Sequence, residues 1–221
     1  MTASRLCVVI PAFNEGASIA GVVGGALEAG VGDVIVVDDG STDETAAAAR
    51  AAGAHVVSLP ENQGYDAAIG AGFVEAACLG ADAVVTLDAD GEHDPALLAA
   101  FRRALLEDGV ELVLGVRPAK ARLAERLVGL YYAWVYGAHD ILCGMKGYAL
   151  GLWRNNGGFD HVGGIGTELA HFGLARGIVM REITVSGQKR ADQPRFGRAV
   201  HVNLRILGAF FRVLRHARAR G

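Results

Sequence analysis

Val84-Val85-Thr86-Leu87-Asp88-Ala89-Asp90-Gly91-Glu92-His93 decides the fold. An apolar, β-prone run passes directly into two carboxylates spaced i, i+2. A third acid and a histidine follow within three positions. A buried strand ending in Asp-x-Asp puts carboxylates at the carboxyl edge of a sheet, where open α/β sheets bind ligands. Oxygen ligands at such an edge suit a hard divalent ion, and that ion suits a diphosphate.

Working outward, the same strand-then-polar-loop pattern repeats. Leu6-Cys7-Val8-Val9-Ile10 reads as a strand buried on both faces and stopped by Pro11, with a loop over 11–16 and a helix over 17–29. Val34 to Val37 is a second buried run, ending in Asp38-Asp39-Gly40-Ser41. Ser41 or Thr42 is expected to cap a helix over about 43–52. His55 to Leu59 is a third strand, and Gly64 opens a helix over about 65–79. Ala83 to Leu87 is the fourth strand, Asp94-Pro95 starts the next helix, and Glu111 to Gly115 is the fifth strand. Strands alternating with helices at this spacing predict right-handed βαβ units, a mainly parallel central sheet and one Rossmann-like α/β domain.

After about residue 119 the rhythm changes. Residues 121–138 read as one helix, with Leu123, Leu127, Leu130, Tyr131 and Trp134 on one side. A loop with Asp140 and Cys143-Gly144-Met145-Lys146-Gly147 follows. Two glycine-rich stretches, 155–158 and 163–166, read as flexible. Thr167 to Arg176 returns to helix, and Ile178 to Val185 is a final strand. Residues 187–198 form a basic loop. Residues 199–216 form an amphipathic helix with Ile206, Leu207, Phe210, Val213 and Leu214 on one face. That helix has three readings: packing on the domain, a homodimer contact, or an interfacial helix on an anionic membrane. The expected division is 1–186 for the catalytic domain, with halves 1–117 and 118–186, and 187–221 for the basic loop and helix.

The net charge of -3 conceals an asymmetry. Residues 187–221 carry nine Lys/Arg and one acid, whereas the rest holds 12 basic and 23 acidic residues. A basic tail on an acidic body points to an anionic partner. Nucleic acid is excluded as that partner, because the body is acidic and aromatic stacking platforms are missing. Cys7, Cys78 and Cys143 form no CxxC pair and read as buried thiols of a reducing compartment. The first residues lead straight into a strand rather than a signal peptide, and no window of about 18 apolar residues predicts a transmembrane helix. A cytoplasmic protein, touching the membrane from that side, is expected.

Four motifs in order carry a family resemblance: Val9-Ile10-Pro11-Ala12-Phe13-Asn14-Glu15, Val36-Val37-Asp38-Asp39-Gly40-Ser41-Thr42-Asp43, Asn62-Gln63-Gly64, and Asp88-Ala89-Asp90-Gly91-Glu92-His93-Asp94-Pro95. Across residues 5–117 the chain resembles glycosyltransferase family 2, inverting nucleotide-sugar transferases of GT-A fold. The likeness is closest to the polyprenyl-phosphate and dolichol-phosphate hexosyltransferase branch. The resemblance implies that Asp39, with Asp38, accepts hydrogen bonds from the base. Pro11, Ala12 and Glu15 line base and ribose, and Asn62 and Gly64 face the nucleotide. It makes Asp90 a ligand of Mg²⁺ or Mn²⁺ on the diphosphate. Asp88 helps through the ribose or a metal-bound water, and Glu92 is a further ligand. His93 reads as structural rather than catalytic.

In the second half the likeness is looser. Arg117 stands in a Gly-x-Arg step, Arg126 in the following helix, and both would hold an acceptor phosphate. Asp140 would orient sugar or phosphate. Glu168 matches the general base of relatives with hydroxyl acceptors. Leu169 after it, where those relatives have Asp, favours a phosphate acceptor that needs no base. Arg198, with Arg190 and Arg195, matches a loop that closes over the diphosphate.

The expected activity is metal-dependent inverting hexosyl transfer from a UDP- or GDP-linked sugar to a polyprenyl phosphate at the membrane surface. Two rivals stand beside it. One is transfer to a saccharide or small-molecule hydroxyl with Glu168 as base. The other is a non-catalytic nucleotide-sugar-binding subunit.

Overall fold

The computed structural model describes residues 4–30, 32–118, 122–185 and 199–220. Among these residues seven strands form one sheet: β1 (Leu6–Ala12), β2 (Asp33–Asp38), β3 (His55–Ser58), β4 (Ala83–Thr86), β5 (Leu112–Val116), β6 (Lys146–Ala149) and β7 (Met180–Thr184). Their order is β3-β2-β1-β4-β6-β5-β7. The pairs β1–β2, β1–β4, β2–β3 and β5–β7 are parallel. Only β6 runs against its neighbours, β4 and β5. The mainly parallel α/β sheet expected from the sequence is therefore present, with one reversed strand inserted at its middle.

Among the described residues eight α-helices cover both faces: α1 (Ile19–Glu28), α2 (Thr45–Ala51), α3 (Tyr65–Cys78), α4 (Leu98–Leu106), α5 (Leu123–Tyr136), α6 (Leu150–Asn156), α7 (Glu168–Ala175) and α8 (Ala199–Arg220). Alternation along the strands sorts the core into two layers. Val9, Ile35, Val37 and Tyr148 point to the side of α3, α5, α6, α7 and α8. Val8, Ile10, Val36 and Val85 point to the side of α1 and α4.

Several local expectations need correction. β1 runs through Pro11 to Ala12 instead of stopping at Ile10. Val9 directs its carbonyl to Leu87, on the β4 side, so Pro11, two residues on, faces that side too. The β1–β4 ladder has already ended at Val9, so the missing proline N–H costs no rung. Neither Ser41 nor Thr42 caps α2; Ser41 Oγ accepts from Asn14 N (2.9 Å), and Thr42 N donates to Asn14 Oδ1 (2.8 Å). Lys146 to Ala149 is a strand rather than a loop, and Asn155 and Asn156 end α6. Cys78 is exposed, whereas Cys7 and Cys143 are buried.

The apolar side of α5 is also not where the core lies. Ala124, Glu125, Val128, Gly129 and Tyr132 are buried, while Leu123, Leu127, Leu130 and Trp134 are exposed, Trp134 by 88%. Helix α8 packs on α5 and α7 through Ile206, Ala209, Val213 and Phe210, with Phe210 edge-on to Tyr131 at 5.0 Å. Among the described residues no helix is long and apolar enough to cross a membrane.

Candidate functional site

The carboxyl ends of β1, β2 and β4 meet at one edge of the sheet, as parallel neighbours must. Their loops are laced together. Asn14, at φ 52°, bridges to Ser41 and Thr42; Glu15 N donates to Thr45 Oγ1 (2.8 Å) and Gly16 N to Asp43 Oδ2 (3.1 Å). Pro11 and Ala12 thus end β1 beside the loop that carries Asp38 and Asp39.

Both of those acids are buried. Asp38 Oδ1 accepts from Ser41 N (3.1 Å). Asp39 grips the opening of α3: Oδ1 accepts from Gln63 N (2.7 Å) and Oδ2 from Gly64 N (2.8 Å). Gly64 adopts φ 94°, a backbone conformation that favours glycine. Asn62 is exposed in the same turn. Asp39 therefore fixes the distance between the β2 and α3 sides of the edge, and each of its oxygens keeps one lone pair.

Asp88 lies at the end of β4 and is held from several sides. Tyr65 donates its hydroxyl to Oδ1 (3.3 Å), and His93 Nε2 stands 3.3 Å from Oδ2. Burial opposes ionisation of Asp88, but the His93 hydrogen bond and charge, with Lys146 and Tyr65 behind, outweigh it and hold the carboxyl below its usual range. For His93, burial works against the proton and Asp88 more than compensates, so its pKa rises. Gly144 is what lets Asp88 lie there: a Cβ at Gly144 would fall 1.9 Å from Asp88 Oδ2. Asp90 Oδ1 accepts from Glu92 N (3.0 Å), closing a tight turn in the same loop.

Sequence reasoning missed three groups at this edge. Lys146 is buried in β6, donates Nζ to Gly166 O (2.8 Å), and has its pKa lowered by burial despite Cys143, Asp88, Asp140 and Asp66 nearby. Tyr65 is the second. The third is Asp66, which accepts from Ile165 N (3.0 Å) and Gly166 N (2.5 Å). The available signal was a lysine in the short Lys146-Gly147-Tyr148-Ala149 stretch, whose pattern does not by itself separate strand from loop.

The residues expected on the acceptor side do not come together. Arg117 and Asp140 form a bidentate pair at the end of β5, and Asp140 also accepts from Arg117 N (3.2 Å). Glu168, at the start of α7, has a side chain only 4% exposed. It accepts from His161 N (2.6 Å), shares a hydrogen bond with His161 Nδ1 (2.6 Å) and accepts from Asn156 Nδ2 (3.4 Å). Burial raises its pKa, but these donors win and the net shift is downward. Arg126 sits exposed on α5. Arg190, Arg195 and Arg198 lie outside the described residues.

Asp88, Asp90 and Glu92 do not converge on one point. Among the described residues, only His161, Glu168 and His216 bring three ligand atoms within 4.8 Å of one another. The oxygen-only donor set at the end of β4 still fits Mg²⁺ or Mn²⁺. Such ions are commonly bound by one or two carboxylates, with substrate phosphates completing the shell.

Residues 7–126 match the family model described as glycosyl transferase family 2. Glycosyltransferase AglJ of Haloferax volcanii is 30% identical over 206 residues, covering 86% of this chain and 65% of that protein. Polyprenol monophosphomannose synthase of Mycolicibacterium smegmatis is 30% identical over 163 residues, covering 65% and 61%. The chain spans about half to two thirds of the length of the curated relatives it matches. Glucosyl-3-phosphoglycerate synthase from Mycobacterium tuberculosis, solved with Mn²⁺, uridine diphosphate and phosphoglyceric acid, superposes over 95% of this chain and 78% of its own. The TM-score is 0.76 at 21% identity, which establishes the shared fold.

Proposed function

Because the chain belongs to glycosyl transferase family 2, we propose that it moves a hexosyl group from a nucleotide sugar to a polyprenyl phosphate, with inversion and with a divalent metal. The donor half rests on the edge shared by β1, β2 and β4. Asp39 and Asp38 take the base, with Pro11, Ala12 and Glu15 beside it and the Asn62–Gly64 turn over the nucleotide. Asp90 and Glu92 would hold Mg²⁺ or Mn²⁺, and Asp88, fixed by Tyr65 and His93, would orient the ribose or a water of the ion's shell. When bound, the ion neutralises charge on the departing nucleoside diphosphate.

The acceptor oxygen attacks the anomeric carbon from the face opposite the diphosphate. The bond to the diphosphate breaks and its electron pair leaves with that group. Positioning and charge stabilisation supply most of the rate. Arg126 and Arg198 receive the acceptor phosphate, and Arg117 is oriented toward it by Asp140.

One observation favours phosphate over hydroxyl as acceptor. Glu168, the residue a hydroxyl acceptor would need as base, already has both carboxylate oxygens engaged by His161 and Asn156. An acceptor phosphate is already anionic and needs no base. The membrane side of the reading is supported by the α5–α8 pair. The two helices run parallel, since Ala124 N donates to Asn203 Oδ1 and Tyr131 meets Phe210. Leu123, Leu127, Leu130 and Trp134 are exposed on α5, and Val200, Leu204 and Phe211 are exposed on α8. Arg126, Arg215 and Arg218 lie on the same two helices, a pairing of apolar and basic groups suited to an anionic lipid surface.

The test is incubation of the full chain with undecaprenyl phosphate, Mn²⁺ and a panel of UDP- and GDP-sugars. A lipid-linked sugar is the expected product. Transfer to a soluble saccharide with no lipid product would sink the acceptor assignment.

A further inference from the structure

Apart from the carboxylates of β4, the structure gathers His161, Glu168 and His216 from three separate places. They come from the loop before α7, from the first turn of α7, and from the penultimate turn of α8. All three ligand atoms lie within 4.8 Å of one another. The two imidazoles stack, with centroids 5.7 Å apart and planes 20° from parallel. Each ring directs a nitrogen at the same oxygen: His161 Nδ1 is 2.6 Å from Glu168 Oε1, and His216 Nε2 is 3.8 Å from it.

His216 Nε2 is buried yet makes no hydrogen bond. A desolvated nitrogen without a partner costs on the order of 1–3 kcal/mol. An ion bound by His216 and Glu168 removes that cost. We propose that His161, Glu168 and His216 form a second metal site, selective for zinc-class transition ions.

The donor set argues for that class. Two imidazoles and one carboxylate match borderline ions, whereas Mg²⁺ and Mn²⁺ prefer the oxygen-only groups at the end of β4. An ion with bonds of about 2.1 Å holds neighbouring ligands roughly 3.4 Å apart. His161 therefore gives up its hydrogen bond to Glu168, and His216 closes by about half an ångström. Glu168 and His216 both line a cavity of about 410 Å³ together with His171 and Arg176, which leaves room for a water as fourth ligand.

The site also has a structural consequence. The loop that carries His161 is held by Arg212 of α8, whose Nε and Nη2 donate to Val162 O (2.7 Å) and Gly163 O (2.6 Å). At its far end Gly166 O accepts from Lys146 Nζ, and Gly166 N donates to Asp66 Oδ1. An ion at the first end would clip α8 to this loop, and the loop reaches the groups behind Asp88.

The experiment uses the full chain in a C78S background, so that the exposed thiol is no ligand. Zn²⁺ is titrated by calorimetry, and Co²⁺ by the visible absorption of a four-coordinate site. One equivalent of each should bind, and excess Mg²⁺ should not displace it. H216A and H161A should each weaken Zn²⁺ affinity at least tenfold, and D90N should leave it unchanged. Zn²⁺ should raise the melting temperature of the parent and of D90N but not of H216A. Two results would overturn the site. One is the absence of a stoichiometric ion on the parent chain, which needs no folded variant. The other is H216A, folded by circular dichroism, binding zinc as tightly as the parent.

Discussion

Arg117 and Asp140 face each other in a two-pronged ion pair, Nε to Oδ2 at 2.8 Å and Nη2 to Oδ1 at 3.0 Å. Asp140 is 1% exposed and Arg117 28%. Burial lowers the guanidinium pKa, and the Asp140 hydrogen bond and charge reverse that, for a net rise. The sequence assigned the two residues to an acceptor separately; the fold makes them one unit.

Removing one member of such a pair strands the other. D140A should lower stability by about 3 kcal/mol, the low end for a broken buried pair because Arg117 retains solvent access. R117M/D140L should recover most of that loss. Urea denaturation checks both, and equal stability of D140A and the parent would refute the pairing.

Gly144 offers a test of the donor edge. G144A places a methyl where Asp88 Oδ2 now lies, so the carboxylate must leave Tyr65 or His93. Donor affinity should fall tenfold or more, roughly the 1–3 kcal/mol of a displaced charged hydrogen-bonding group. Calorimetry with nucleotide sugar and Mn²⁺ measures it. Removing Mn²⁺ by chelation should abolish the same heat, and D90N should do so with the metal present.

Stability should depend on pH through His171. Its Nδ1 lies 3.0 Å from the Tyr132 hydroxyl, whose pKa burial pushes up, so tyrosine donates and the imidazole accepts. Burial depresses the His171 pKa below its ordinary value, against a smaller opposing pull from Glu168. The unfolded chain then binds the proton more readily. The stabilisation is complete above the ordinary imidazole value of about 6.5 and is lost as pH falls through the folded pKa. Melting temperature should fall with acidification below that value, and H171N should flatten the fall. A parallel acid profile in H171N would rule His171 out as the cause.

The outer side of α5 and α8 should govern lipid association. L127E/W134E changes only exposed positions, so its melting temperature should stay near that of the parent. Sedimentation with vesicles rich in anionic lipid should drop several-fold. Unchanged sedimentation would remove this face from consideration.

Much of the donor edge was legible because it is local. Apolar runs of four or five residues signal buried parallel strands, and those that end in carboxylates, β2 and β4, mark the ligand edge; β1, β2, β4 and β5 are strands in the order the pattern predicts, β1 running two residues further. The Asp94-Pro95 start is equally local, and Asp94 does accept from Ala96 N. What long-range contact decided was not legible. β6 is four residues with a lysine and a glycine, a pattern indistinguishable from a loop until β4 and β5 flank it. Helix α5 has two apolar sides, and periodicity does not say which one meets the sheet. The isolated signals at Arg117, Asp140 and Glu168 gave residue types without partners. Partners 23 residues away for Arg117, and 48 for Glu168 and His216, are brought together only by the folded chain. The sequence determined by itself which residues end the strands, because that depends on neighbours along the chain. The tertiary structure alone decided which charged groups are paired, because pairing depends on where distant elements pack.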